Sequence, residues 1–151
     1  LYTNSNAEVS AYGFSLGLTY RTRSGYNITS NVTHSKLNAS AINTSLIAPF
    51  NTPNYSTNTI LSKSNLYKKI GFSLSWHWQN GFDWYGTFTG NNPGRINPCS
   101  LFDIQINKKF EKKEFQIKLG GNNILNHRVA QTYGSPAIGA IYYISFFKGI
   151  Q

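Results

Sequence analysis

Residues 11–20 read Ala11-Tyr12-Gly13-Phe14-Ser15-Leu16-Gly17-Leu18-Thr19-Tyr20, and the alternation within them decides the fold. Tyr12, Phe14, Leu16, Leu18 and Tyr20 share one parity, while Ala11, Gly13, Ser15, Gly17 and Thr19 share the other. Successive side chains of a strand point to opposite faces, so this run makes a sheet with one greasy surface and one small, wet surface. A second run repeats the pattern, with Ile70, Phe72, Leu74, Trp76 and Trp78 set against Gly71, Ser73, Ser75, His77 and Gln79. Strands of a soluble sandwich usually end after about 5 to 6 residues. Crossing a bilayer takes about 9 to 11.

The composition fits a membrane wall better than a soluble surface. Aromatic residues make up 15% of the 151-residue chain and charged residues only 13%, against a usual charged share of about 25%. No stretch approaches the roughly 18 consecutive apolar residues of a membrane helix, which leaves any spanning to strands. The chain starts at Leu1 and holds no methionine, so the expectation is an N-terminus taken from something longer. Cys99 is the single cysteine, which excludes an internal disulfide and a cysteine metal cluster. The net charge of +9 invites a nucleic-acid reading. Most of the basic residues, however, fall near three expected turns or at the C-terminal end: Arg21, Arg23, Lys63, Lys68, Lys69, Lys108, Lys109, Lys112, Lys113 and Lys148. They form a rim and not a groove, and nucleic acid is not expected as a partner.

Alternation and breakers mark about seven strands. They run about Val9 to Arg21, Tyr26 to Leu37, Ser56 to Ser64, Lys69 to Thr87 with a break near Asn80-Gly81, Leu101 to Phe110, Phe115 to Leu125, and Ala140 to Phe147. The connections alternate short and long, the loop economy of an outer-membrane barrel with short periplasmic turns and longer extracellular loops. All the short turns and the basic rim share one end. About seven strands cannot close a barrel, for which bacterial single chains use an even number of about 8 or more. The expected fold is all-β, an antiparallel transmembrane β-barrel present here as an incomplete wall.

Several segments resemble the barrel end of TonB-dependent outer-membrane receptors of the Bacteroidetes type. They include Phe50-Asn51-Thr52-Pro53, Asn65-Leu66-Tyr67-Lys68-Lys69-Ile70-Gly71-Phe72, Ser75-Trp76-His77-Trp78-Gln79 and Phe82-Asp83-Trp84. The most specific are Gly120-Gly121-Asn122-Asn123-Ile124-Leu125-Asn126 and the closing Gly139-Ala140-Ile141-Tyr142-Tyr143. Asn97-Pro98-Cys99-Ser100 departs from the family pattern, as does the ending Lys148-Gly149-Ile150-Gln151. The resemblance implies that residues 1–151 are the C-terminal segment of a barrel of about 22 strands, with the plug domain and earlier strands lying outside the chain. It further implies uptake of a bulky nutrient such as a siderophore, cobalamin or glycan. The implied partners are outer-membrane lipid and lipopolysaccharide, the TonB complex through the plug, and a surface lipoprotein.

Catalysis is not expected. The five carboxylates are Glu8, Asp83, Asp103, Glu111 and Glu114, and the three histidines His34, His77 and His127 lack the spacing of a metal site or triad. No cofactor or metal is expected, and the Asn-x-Ser/Thr matches at Asn27, Asn31, Asn38, Asn43 and Asn54 follow from composition. Ligand binding falls to the long loops and upper lumen, with candidates Asn91, Asn92 and Arg95 in one loop and Arg128, Gln131 and Tyr133 in another. Arginine suits carboxylates and phosphates by its planar fork, although pairing with lipopolysaccharide phosphates or simple solvation of the loop is the preferred account. Trp76, Trp78, Phe82, Trp84, Tyr85 and Phe88 form either a stacking platform for a sugar or flat chelate or an aromatic girdle, and the girdle is preferred. Trp84 and Tyr85 are adjacent, so one of the two would face the lumen. The rival functions are a passive porin or structural barrel, and a soluble carbohydrate-binding β-sandwich with a core closed from both sheets.

Overall fold

The alternating runs pair edge to edge into a single antiparallel sheet. The computed structural model describes residues 10–38, 50–86, 94–111 and 114–149. In chain order the strands are β1 (Ser10–Arg21), β2 (Tyr26–Asn38), β3 (Tyr55–Tyr67), β4 (Ile70–Gln79), β5 (Phe82–Trp84), β6 (Gly94–Ile96), β7 (Cys99–Phe110), β8 (Phe115–Asn122) and β9 (Ile141–Lys148). Seven of them form the sheet β1-β2-β3-β4-β7-β8-β9, and β5 pairs with β6 separately. Each wall strand lies beside its nearest wall neighbour in the chain, so short and long connections fall at opposite ends.

The structure corrects three boundaries. The fourth expected strand stops at Gln79, and its continuation, Phe82–Trp84, joins a hairpin with Gly94–Ile96, a segment read as loop. Thr87 lies outside the described residues. The sixth strand ends at Asn122 instead of Leu125, because Asn123 turns left-handed at φ 53°. The third extends to Tyr67, its register shifting between Lys63 and Tyr67 where the ladder absorbs an irregularity.

The register extends the two faces of β1 across the sheet. Tyr20, Ile28, Leu61, Leu74, Ile104 and Gly121 lie in one outward row of directly opposed partners. Polar intrusions on that greasy face satisfy one another: Ser30 and Thr59 share a 2.8 Å hydrogen bond, and Thr57 Oγ1 donates to the Asn31 carbonyl at 2.7 Å. Without water to bond them, such groups need internal partners. Among the described residues Ile96 alone is a buried hydrophobic, while Leu16 and Leu18 are 71% and 70% exposed. Among the described residues no second layer covers the greasy face, which a soluble sandwich would require.

Rings bracket the aliphatic middle of this face at both ends. Near the long connections His34 lies 4.4 Å from Tyr55 and 5.5 Å from Phe14, and Trp76 stacks on Phe102 at 6.4 Å. The Trp76 indole N–H donates to Ser100 Oγ at 2.8 Å, giving the ring's polar edge a partner. Near the short turns Phe110, Phe115 and Phe146 follow each other at 6.0 Å spacings. Two girdles flanking an apolar band match a transmembrane barrel wall.

The short turns are built from local hydrogen bonds. Thr22 Oγ1 accepts from the Tyr26 amide at 3.0 Å while Gly25 takes φ 85°. Lys69 Nζ of the β3–β4 turn lies 3.0 Å from Oε1 of Glu111 in the β7–β8 turn, and this hydrogen bond and charge hold the Glu111 carboxyl below its ordinary value of 4.5. A lowered carboxylate pKa means the tie is fully present above the ordinary value and lost as pH falls through the lowered one. In a carboxyl NMR titration, K69Q should therefore move the Glu111 midpoint back up toward 4.5.

Candidate functional site in the upper lumen

The wet face carries a cavity of about 560 Å³ at the end with the long connections. Inward parity delivers its floor: His77 and Gln79 from β4, Leu101 and Asp103 from β7, and Asn122 from β8. Phe82 and Trp84 of the β5–β6 hairpin add ring surfaces, and Val129, Gln131 and Ile138 enter from the last long connection. Among the described residues lining it there is no lysine or arginine. Asp103 is the one carboxylate there, and its two oxygens are engaged. Oδ1 accepts the Asn123 backbone N–H at 2.7 Å and Oδ2 accepts from Ser75 Oγ at 3.3 Å.

Asparagines hold the connections in place. Asn51, at φ 42°, pairs its side-chain amide with the backbone of Tyr85, donating from Nδ2 and accepting at Oδ1, both at 2.8 Å. This imitates a strand pair and fixes the hairpin to the segment before β3. Asn123 is 93% removed from solvent, donates to the His127 carbonyl at 2.6 Å and accepts the His127 N–H at 3.1 Å. Asn126 Oδ1 accepts from the Ala140 amide at 2.9 Å, and Val129 and Ile138 close the excursion with a two-residue bridge. Gly120 lets the Tyr143 ring cross its Cα, since a Cβ there would meet Tyr143 Cζ at 2.3 Å. The Gly-Gly-Asn-Asn-Ile-Leu-Asn segment thus ends β8 and launches an ordered loop.

The expected site residues separate into groups. Trp84 and Gln131 line this 560 Å³ cavity, whereas Tyr85 lines a neighbouring cleft of about 300 Å³ with Arg95. Arg95 and Arg128 share a third cleft of about 200 Å³. Arg95 is already tied to Asp83 across the hairpin at 2.8 Å, an exposed pair worth at most about 1 kcal/mol. The Tyr133 ring lies against Gly94, where a Cβ would sit 2.1 Å from Tyr133 Cγ, so it joins the last two of the three long connections and lines none of these cavities. Asn91 and Asn92 lie outside the described residues, as does Phe88.

The aromatic cluster therefore divides: Trp76 and Trp78 belong to the outward face and Phe82 and Trp84 to the cavity. Sequence reasoning did not single out Gln79, Asp103, Asn122 or Asn51 as site residues. For the first three the inward parity of the wall was the available signal, and for Asn51 the Phe50-Asn51-Thr52-Pro53 segment.

A family model described as the outer membrane protein beta-barrel family matches residues 1–144. No curated protein matches the chain. Among solved structures it is similar to the FrpB iron transporter from Neisseria meningitidis (F3-3 variant), with a TM-score of 0.65 and 16% identity over 92% of this chain and 24% of that one. It is also similar to the siderophore receptor PiuA from Acinetobacter baumannii, with a TM-score of 0.65 and 15% identity over 93% of this chain and 22% of that one. The chain spans about a quarter of the length of each, and at these identities the likeness is one of fold.

Proposed function

Because the chain belongs to the outer membrane protein β-barrel family, and so resides in the bacterial outer membrane, we propose that it is part of the wall of a TonB-dependent nutrient receptor. The observation that carries this reading is the ordered cavity on the wet face, framed by described residues of all three long connections, where a ligand arriving from outside first meets the wall. Its flat rings and amides, with no lysine or arginine among the described lining residues, suit a ligand with stackable faces and hydroxyl or amide groups, a sugar or a flat chelate. Trp84 supplies the stacking face and Gln79, Asn122 and Gln131 the hydrogen bonds. The plug and the TonB-contacting segment belong, on this proposal, to other parts of the protein.

Uptake by cells carrying the complete protein tests it, with ferric siderophores, cobalamin and oligosaccharides as labelled probes. The expected result is accumulation of one probe that stops when the proton gradient is collapsed. W84A should weaken binding of that probe roughly tenfold, the value of one good aromatic stack. Gradient-independent leakage of small solutes, unaffected by W84A, would make the protein a passive pore.

A further inference from the structure

The two ends of the outward face differ in charge. At the short-turn end Lys63 stands opposite Tyr26 and Phe72, and Lys108 stands opposite Ile70 and Ile117, all on the greasy parity. Lys63 Nζ sits 4.3 Å from the Tyr26 ring centre, Lys68 Nζ 4.9 Å from that of Tyr67, and Lys108 Nζ 5.8 Å from that of Phe110. Lys108 also donates to the Lys68 carbonyl, and Lys148 continues the row opposite Phe115. No ion pair among the described residues involves Lys63, Lys68 or Lys108. At the other end, Lys36 opposite Tyr12 is the one lysine or arginine of the described strands on this parity.

The turn between β3 and β4 adds an independent observation. Tyr67 pairs with Ile70, so the loop is Lys68-Lys69 alone, and both residues have positive φ, 46° and 65°. That backbone favours Asn-Gly, and left-handed geometry is costly for ordinary residues. Two lysines stand there against that cost. Lys68 brings its charge to the rim just below the girdle, while Lys69 pairs with Glu111.

We infer that this belt of lysines over aromatic rings binds the headgroups of anionic glycerophospholipids in the periplasmic leaflet. The rings settle at headgroup depth, the lysine stems lie along apolar surface and the ammonium groups reach the phosphates. A row of such cations attracts anionic lipid over a zwitterionic one. The inference rests on the membrane placement and on the short turns marking the periplasmic end, and it stands whether or not the barrel transports anything.

The test places the complete protein in nanodiscs of phosphatidylethanolamine with a minority of phosphatidylglycerol and measures by native mass spectrometry which lipid stays bound. The wild type should retain phosphatidylglycerol preferentially. The variant K63Q/K68Q/K108Q should lose about fivefold of that preference for each lysine removed, and K36Q should keep it. Should the triple variant fail to assemble, K63Q and K108Q singly and the wild-type discrimination carry the test. Equal retention of both lipids by the wild type would overturn the inference, as would full displacement by equimolar inorganic phosphate. Selective retention of lipopolysaccharide through these lysines would also overturn it, by placing the belt in the outer leaflet.

Discussion

Leu16→Arg should weaken the folded, membrane-inserted protein by about 2 to 4 kcal/mol, roughly 30- to 1,000-fold in the folding equilibrium. Leu16 lies midway between the ring rows marked on β1 by Tyr12 and Tyr20, on the greasy parity and opposite Val32. From Tyr12 to Tyr20 the strand covers about 26 Å at its usual rise, so Leu16 is close to the middle of the hydrocarbon. A guanidinium there has no water and no described carboxylate on its face, and the ring rows are too far for its side chain to reach the headgroups. The next residue supplies the control. Gly17 faces the lumen and a Cβ there meets nothing within 4 Å, so Gly17→Arg should cost under about 1 kcal/mol, as lumen substitutions are tolerated. Urea unfolding from lipid vesicles measures both, and similar losses at the two positions would refute the assignment of faces.

Asn123→Ala should cost about 2 to 3 kcal/mol. The substitution removes the donation to the His127 carbonyl and the acceptance of its N–H, each worth about 1 kcal/mol net. It also leaves alanine at φ 53°, which asparagine adopts more readily. Asn123→Gly separates the contributions: it loses the same two bonds but relieves the backbone, so it should be milder by about 1 kcal/mol. Because residues 126–139 leave the wall through this turn, limited proteolysis of that connection should quicken in the alanine variant before global unfolding does. An unchanged cleavage rate would show that the Val129–Ile138 bridge and the Asn126 contact hold the loop without Asn123.

The wall was legible because one face of it meets a single, uniform surrounding. Phe14, Leu16 and Leu18 recur with period two over the full strand, and a one-residue slip would turn every one of them into the lumen. The loop rule then fixed which ends lie together. The site was harder to read because it depends on where the alternation stops. Past Asn80-Gly81 the parity of Trp76 and Trp78 no longer predicts that of Phe82 and Trp84: the first pair lies on the outward face and the second lines the cavity. Gly94-Arg95-Ile96 is too short and too surrounded by breakers to show as a strand, and its partner Phe82–Trp84 is equally brief. The seat of Tyr133 on Gly94 joins residues 39 positions apart, with no local signal in either. Asn123 and Asn126 were visible as a motif, but their role as left-handed residues that end β8 needed the backbone.

The fold requires that the even-numbered face of β1 meet lipid. Spin labels placed one at a time at residues 12–20 of the complete protein, on a Cys99→Ser background that removes the single native thiol, test it in bilayers through collision with oxygen and with a water-soluble nickel chelate. Oxygen accessibility should have a period of two, highest at positions 14, 16 and 18, with chelate accessibility in the opposite phase at 13, 15 and 17. Labels at 14, 16 and 18 that meet the chelate and not oxygen, or an accessibility without alternation, would contradict it.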